Sequence, residues 1–289
     1  DVTIFIGANG SGKSNVISFF DMLYHISEER LGYFVQKFGK AESFISNYPE
    51  TEDIGGGLHF ESNERWLDYS FSLEANANEQ LFFTSEYFAT NHPFPNDDDI
   101  ELVFESNRLE SEMGQNRRDY AVWPLVQAIK KPINNIRCYK FQDTSPDSRL
   151  RKMTPPLGVI QYLEPEGGNI AGFLYYLSNT EKYLWYYNRI IEYFKMAYPE
   201  FDKFWFPEKV DVFENVPLHF LDKNTPPTKR LGVHQLSDGT LRFIALSCAL
   251  LSPPEALPSL ICLDEPELGL HPTAIQLLAG MITLASENT

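Results

Sequence analysis

The stretch Gly7-Ala8-Asn9-Gly10-Ser11-Gly12-Lys13-Ser14 constrains the fold more than any other part of the chain. It fits G-x-x-x-x-G-K-[ST], follows an apolar run (Val2, Ile4, Ile6) and leads into another (Val16, Ile17, Phe19, Phe20, Leu23). Strand, glycine loop and helix, in that order, are the context of a phosphate-binding loop. Glycines let the backbone curl so that successive N–H groups point inward at an anion. The N-terminus of the following helix, expected over about 13–26, adds the positive end of its dipole. Lys13 supplies a cation for β- and γ-phosphates, and the Ser14 hydroxyl is a hard oxygen ligand for Mg²⁺. Asn15, the next residue, is grouped with the nucleotide-binding set.

Such a loop needs a sheet and a core behind it. The 289 residues, 43% of them hydrophobic, suffice for one divided domain or two. No run approaches the roughly 18 apolar residues of a membrane span, and no signal-peptide pattern is visible, so no membrane partner is expected. Cys138, Cys248 and Cys262 are widely spaced and suggest neither disulfides nor a zinc site. Cys248 and Cys262 sit in apolar runs and are expected to be small buried hydrophobes in a reducing cytoplasm. The six histidines lack ligand spacing, so no structural metal site is expected.

A net charge of −16 repels nucleic acid on average. Positive charge concentrates only between 117 and 152: Arg117-Arg118, Lys130-Lys131, Arg137, Lys140 and Arg149-Leu150-Arg151-Lys152. A solvated face is the plainer reading, a nucleic-acid site the sharper one. The run Asn96-Asp97-Asp98-Asp99 reads as an exposed loop.

Along the chain, Gly55-Gly56-Gly57 reads as punctuation. Leu67, Tyr69, Phe71, Leu73 and Ala75 then alternate with polar residues, the period of a half-buried antiparallel strand. Asn76-Ala77-Asn78 reads as a turn, Leu81 to Ala89 as the returning strand, and Ile100 to Phe104 as a third. Pro124 opens a helix, and Ile136 to Phe141 is a strand. Residues 143–170 are loop-like, and helices are expected over Ile170–Leu177 and Thr180–Ala197, with Ser178 and Glu181 as a capping box. A strand is expected over 210–221, and a loop over 222–229.

Three further stretches carry chemistry. Ser259-Leu260-Ile261-Cys262-Leu263-Asp264-Glu265-Pro266 reads as a buried parallel strand delivering two carboxylates at its C-terminal edge, where open α/β sheets bind ligands. Asp264 would hold Mg²⁺, directly or through water, and Glu265 would position or deprotonate an attacking water. In Leu236-Ser237-Asp238-Gly239-Thr240-Leu241-Arg242, Ser237 is a good N-cap for a helix stopped by Pro253-Pro254, and Gly239 leaves the backbone open beside it. That is a second anion-binding helix end, economically explained if it caps phosphate held by a partner subunit. Pro266-Glu267-Leu268-Gly269-Leu270-His271-Pro272 is a turn restarting a helix, with His271 expected as a cap or interface residue.

In this order the four motifs resemble the ABC-type ATPase superfamily, and most of all its soluble SMC and RecF-like branch, in particular the stand-alone bacterial ATPases often assigned to the AAA family. Tyr139 to Ser145, Gly167 to Leu174 and His234 to Phe243 extend the resemblance over nearly the whole chain. It implies that Gly7 to Ser14 is Walker A, Ser237 to Gly239 the signature, Asp264-Glu265 Walker B and Leu268 to His271 the D-loop. It further implies two ATP molecules sandwiched in a head-to-tail homodimer, each between one subunit's P-loop and the other's signature. Three glutamines, Gln36, Gln142 and Gln161, are candidates for the Q-loop position.

The expected fold is α/β: a P-loop NTPase with a mixed sheet, an antiparallel β layer and a helical signature lobe. The lobes interleave as a single domain, about 1–160 with 259–289 against about 161–258. The chain is read as a fragment lacking N-terminal strands and a C-terminal switch-histidine segment. The expected activity is Mg²⁺-dependent ATP binding and hydrolysis with Glu265 and Lys13 as catalytic residues, in DNA maintenance or anti-phage defence, with DNA or a separate effector as partner. A monomeric P-loop phosphotransferase and a non-hydrolysing nucleotide-dependent scaffold are the alternatives.

Overall fold

The computed structural model describes residues 1–45, 53–62, 65–91, 100–114, 123–152, 162–208 and 215–287. Asn96 to Asp99, Arg117-Arg118 and Gln161 lie outside them. The chain divides into two compact units, one of Asp1–Ile17 with Arg137–Thr289 and one of Ser18–Ile136.

The P-loop helix α1 (Lys13–Ser27) runs on into the unit 18–136, followed by α2 (Leu31–Phe38). Four strands then form an antiparallel sheet in chain order: β1 (Asp53–Ser62), β2 (Arg65–Ala75), β3 (Leu81–Thr90) and β4 (Ile100–Arg108). The alternation along β2 does what its period predicts, burying Tyr69, Phe71 and Leu73 on one face. Asn76 makes the β2–β3 turn, its Oδ1 accepting from the amides of Asn78 at 2.9 Å and Gln80 at 3.1 Å. With α3 (Trp123–Asn134), which carries Pro124 in its first turn, these elements close a core around Leu23, Ile26, Phe34, Phe83, Phe88 and Ile129.

The glycines read as punctuation are instead the middle of β1, where Gly56 faces Phe71 across the ladder. A Cβ on Gly56 would stand 2.5 Å from the Phe19 ring and 2.9 Å from the Phe71 ring. Gly56 is glycine because two aromatic rings fill the space a side chain would need.

In the other unit β5 (Ile136–Tyr139) precedes two helices, α4 (Ile170–Asn179) and α5 (Leu184–Ala197). A three-stranded antiparallel sheet follows, β6 (Phe201–Trp205), β7 (His219–Asp222) and β8 (Leu231–Gly232). Then come α6 (Asp238–Leu250), β9 (Leu260–Leu263), paired with β5, and α7 (Pro272–Ser286). From Phe243 to Leu250 every residue of α6 is buried, so this helix is apolar all round and forms the axis of the unit's core.

Several local expectations are corrected. Residues 1–8 form no strand, and Ile4 and Ile6 are 76% and 93% exposed. A strand exists through its ladder, and no described sheet gives 1–6 a neighbour. For the same reason β9 is half-buried rather than buried, with Leu260 exposed and Cys262 only partly covered. The capping box at Ser178 does not form: its hydroxyl donates to the Tyr175 carbonyl, and a 3-10 turn (Glu181–Tyr183) precedes α5. Of the strand expected over 210–221, the described residues show only its end, as β7. Strand β6 falls outside every expected strand, and its Phe201 and Phe204 pack on Phe194.

Candidate nucleotide site

The P-loop has the backbone its glycines permit. Gly10 and Gly12 take φ of +79° and +89°, in the left-handed region that favours glycine. A Cβ on Gly7 would lie 2.7 Å from Ser11 Oγ. The turn is closed by Ser11 N–H donating to the Ala8 carbonyl (3.2 Å) and Asn15 N–H to that of Gly12 (3.0 Å). Lys13 Nζ folds back across the loop and donates to the carbonyls of Gly7 (2.7 Å) and Ala8 (2.8 Å). Around Gly10 there is room: an added Cβ would meet nothing within 4 Å. An open, glycine-lined concavity at a helix N-terminus with an ammonium at its rim fits a phosphate chain.

Strand β9 ends where Asp264 and Glu265 leave it. Both line a small cavity with Tyr139, Phe141, Gln142, Leu263 and Arg242. Of the two candidate glutamines among the described residues, Gln142 is the one brought here, its Nε2 donating to the Asp264 carbonyl at 2.7 Å. Gln36 lies on α2, in the other unit. Glu265 has φ +45°, a backbone conformation that costs an ordinary L-residue roughly 1–2 kcal/mol. Strain of this kind persists only where surrounding contacts over-determine it, and it clusters at functional residues.

Ser237 is the N-cap of α6, accepting from the Thr240 amide at 3.2 Å, as the sequence predicts. Asp238 is tied down: Arg151 Nη2 donates to its Oδ1 at 2.7 Å, which holds its carboxyl below the usual carboxylate range. Arg151 also donates to the carbonyls of Thr144 (2.7 Å) and Val233 (2.9 Å), shaping the turn before α6. The turn 267–271 packs on the first turn of α6, since a Cβ on Gly239 would stand 2.3 Å from the Gly269 carbonyl oxygen. Backbone cannot yield as a side chain can. Gly239→Ala should therefore cost about 1–3 kcal/mol of stability, read as a lower thermal midpoint. His271 is a cap: its Nδ1 accepts from the Thr273 amide at 3.3 Å and opens α7.

The hydrogen bonds of Lys13 stay within the P-loop, whereas Gln142, Asp264, Glu265, the start of α6 and the turn 267–271 are joined to one another. Sequence reasoning did not single out Arg151 or Arg242 as builders of the site. Among the described residues of the basic cluster, Lys130 donates to the Met113 carbonyl, Arg149 pairs with Glu164 and Glu166, and Arg137 lies over the Tyr162 ring.

The sequence profile of a family described as "AAA domain, putative AbiEii toxin, Type IV TA system" matches residues 2–120 and 201–289, more than two thirds of the chain. The chain belongs to this family. Among solved structures it is similar to an SMC head bound to the C-winged helix domain of ScpA. The TM-score is 0.56 at 13% identity, over 98% of this chain and 78% of that one. No curated protein matches. The fold of this AAA-family member is thus that of a P-loop NTPase, shared with the SMC head. Among the described residues no helix is long and apolar enough to cross a membrane.

Proposed function

We propose that the chain is an Mg²⁺-dependent ATPase head that closes head to tail with a second copy around ATP and reopens after hydrolysis. The observation that carries this is the convergence of Gln142, Asp264 and Glu265 on one cavity whose wall includes Arg242 of the signature helix. Family membership supports an ATPase domain, and the SMC head to which the chain is similar shares its fold.

In this reading the amides of 8–14 and Lys13 Nζ hold the β- and γ-phosphates, Lys13 exchanging its two loop carbonyls for phosphate oxygens. Ser14 and Asp264 would hold Mg²⁺, which neutralises charge on the phosphates. Glu265 accepts a hydrogen bond from water and aligns it for in-line attack, with Gln142 beside it. Ser237 and the open backbone at Gly239 present the N-terminus of α6 to the γ-phosphate on the other protomer. The work of the cycle is a switch in DNA maintenance or anti-phage defence in the cytoplasm, passed to DNA or to a separate effector. The family description, which names a toxin–antitoxin system, favours defence.

The decisive experiment follows phosphate release by the purified chain with and without Mg²⁺, alongside size-exclusion with and without ATP. Mg²⁺-dependent multiple turnover and an ATP-dependent shift to dimer are expected. A monomer that turns over ATP without a shift would point to a phosphotransferase-like site complete in one chain.

A further inference from the structure

The left-handed backbone of Glu265 is pinned from both sides, and both pins lead to one guanidinium. The φ and ψ of a residue set the angle between the peptide planes that flank it. The plane before Glu265 carries the Asp264 carbonyl, which accepts from Gln142 Nε2 at 2.7 Å. The plane after it carries the Glu265 carbonyl, which accepts from the Leu268 amide at 3.1 Å. Arg242 then holds the holders. Its Nη2 donates to the Gln142 carbonyl at 2.7 Å, its Nη1 to the Leu268 carbonyl at 3.0 Å, and its Nε to the Phe141 carbonyl at 3.1 Å.

The surroundings are built for this fork. Gly269 has φ +72°, and a Cβ there would stand 2.6 Å from Arg242 Nη1, so glycine leaves the space the guanidinium occupies. Three carbonyls around one planar cation, in fixed directions, is work for arginine; the compact ammonium of lysine cannot reproduce that fork.

We propose that Arg242 is a positioning residue that holds the backbone of Glu265 in its strained conformation from the signature helix. Arg242 lies five positions after Ser237, in the second turn of α6. The helix whose N-terminus would meet a partner's phosphate therefore also sets the orientation of this chain's own water-aligning carboxylate. A displacement of α6 along its axis moves the guanidinium against Gln142 and Leu268 and lets Glu265 relax. The catalytic consequence rests on the ATP-hydrolysis reading; the backbone restraint does not.

The two are separated by a double-mutant cycle on thermal stability and a parallel kinetic measurement. Glu265→Gly removes the strain, so the melting midpoint of the 289-residue chain should rise. In an Arg242→Lys background the strain is already released, and the same substitution should give no rise. Gln142→Met, which frees only the first plane and keeps the volume, should shrink the gain and serves if the lysine variant does not fold. An equal rise in all backgrounds would overturn the proposal. In the kinetic arm Arg242→Lys should lower kcat about 10- to 100-fold with KM within about two-fold, because the carboxylate is misplaced while the P-loop is untouched. Unchanged kcat overturns the proposal. A wild-type chain without turnover instead defeats the ATPase reading, and the stability cycle still decides the role of Arg242.

Discussion

Glu265→Gln is expected to leave ATP binding intact, lower turnover by about 10²- to 10⁴-fold, and accumulate an ATP-bound dimer. Gln keeps the size and the left-handed backbone of Glu265, so the packing around Pro266 and Leu268 has no reason to change, and stability should stay within about 0.5 kcal/mol of wild type. What is lost is the negative charge that accepts a proton, or at least orients water, in the transition state. In the proposed site, binding would depend instead on Lys13 and the loop amides, which the substitution does not touch. Single-turnover phosphate release, equilibrium binding of a fluorescent ATP analogue and size-exclusion in ATP measure the three effects separately. A variant that hydrolyses at the wild-type rate would remove Glu265 from the mechanism, and with it the assignment of Asp264-Glu265 as the carboxylate pair.

The parts of the molecule legible in the sequence are those whose cause is local. Glycines at 10 and 12 need positive φ, Ser237 needs only the Thr240 amide three residues on, and the period of two along β2 needs only a buried face. What stayed illegible depends on distant partners. Gln142 became identifiable only when folding placed it against Asp264, 122 residues later. Arg151 read as part of a solvated basic face and Arg242 had no role of its own in the sequence, yet each spends its guanidinium on carbonyls of separate segments. Gly55 to Gly57 looked like a break because glycine usually weakens a strand, and the rings of Phe19 and Phe71 explain the middle one, Gly56. The apolar run at residues 2–6 shows the converse: a strand-like pattern does not make a strand without a ladder to join.

Lys13→Ala and Ser237→Arg should each abolish hydrolysis alone, and an equal mixture of the two should recover it. The reasons for failure differ. Lys13→Ala removes the ammonium that now bridges Gly7 and Ala8 and that would neutralise the β- and γ-phosphates, so it weakens nucleotide binding itself. Ser237→Arg leaves the P-loop untouched but deletes the α6 cap and crowds the helix N-terminus that a partner's phosphate must approach. It should therefore bind ATP normally as a monomer and lose only closure and turnover, with about 0.5–2 kcal/mol of stability lost with the cap. In a mixed dimer one composite site carries both defects and the other carries neither. One working site per mixed dimer in place of two caps the recovery at about half the wild-type rate, and random pairing, with half the dimers mixed, would give about a quarter. Recovery is possible only if the P-loop of one protomer works with the signature of another. A monomeric phosphotransferase predicts no recovery, and it predicts that Ser237→Arg by itself stays active. Titrating one variant against a fixed amount of the other separates the cases further, because rescue should rise and then plateau as the fixed variant is consumed into mixed dimers. A flat response at zero activity would place the whole site within a single chain.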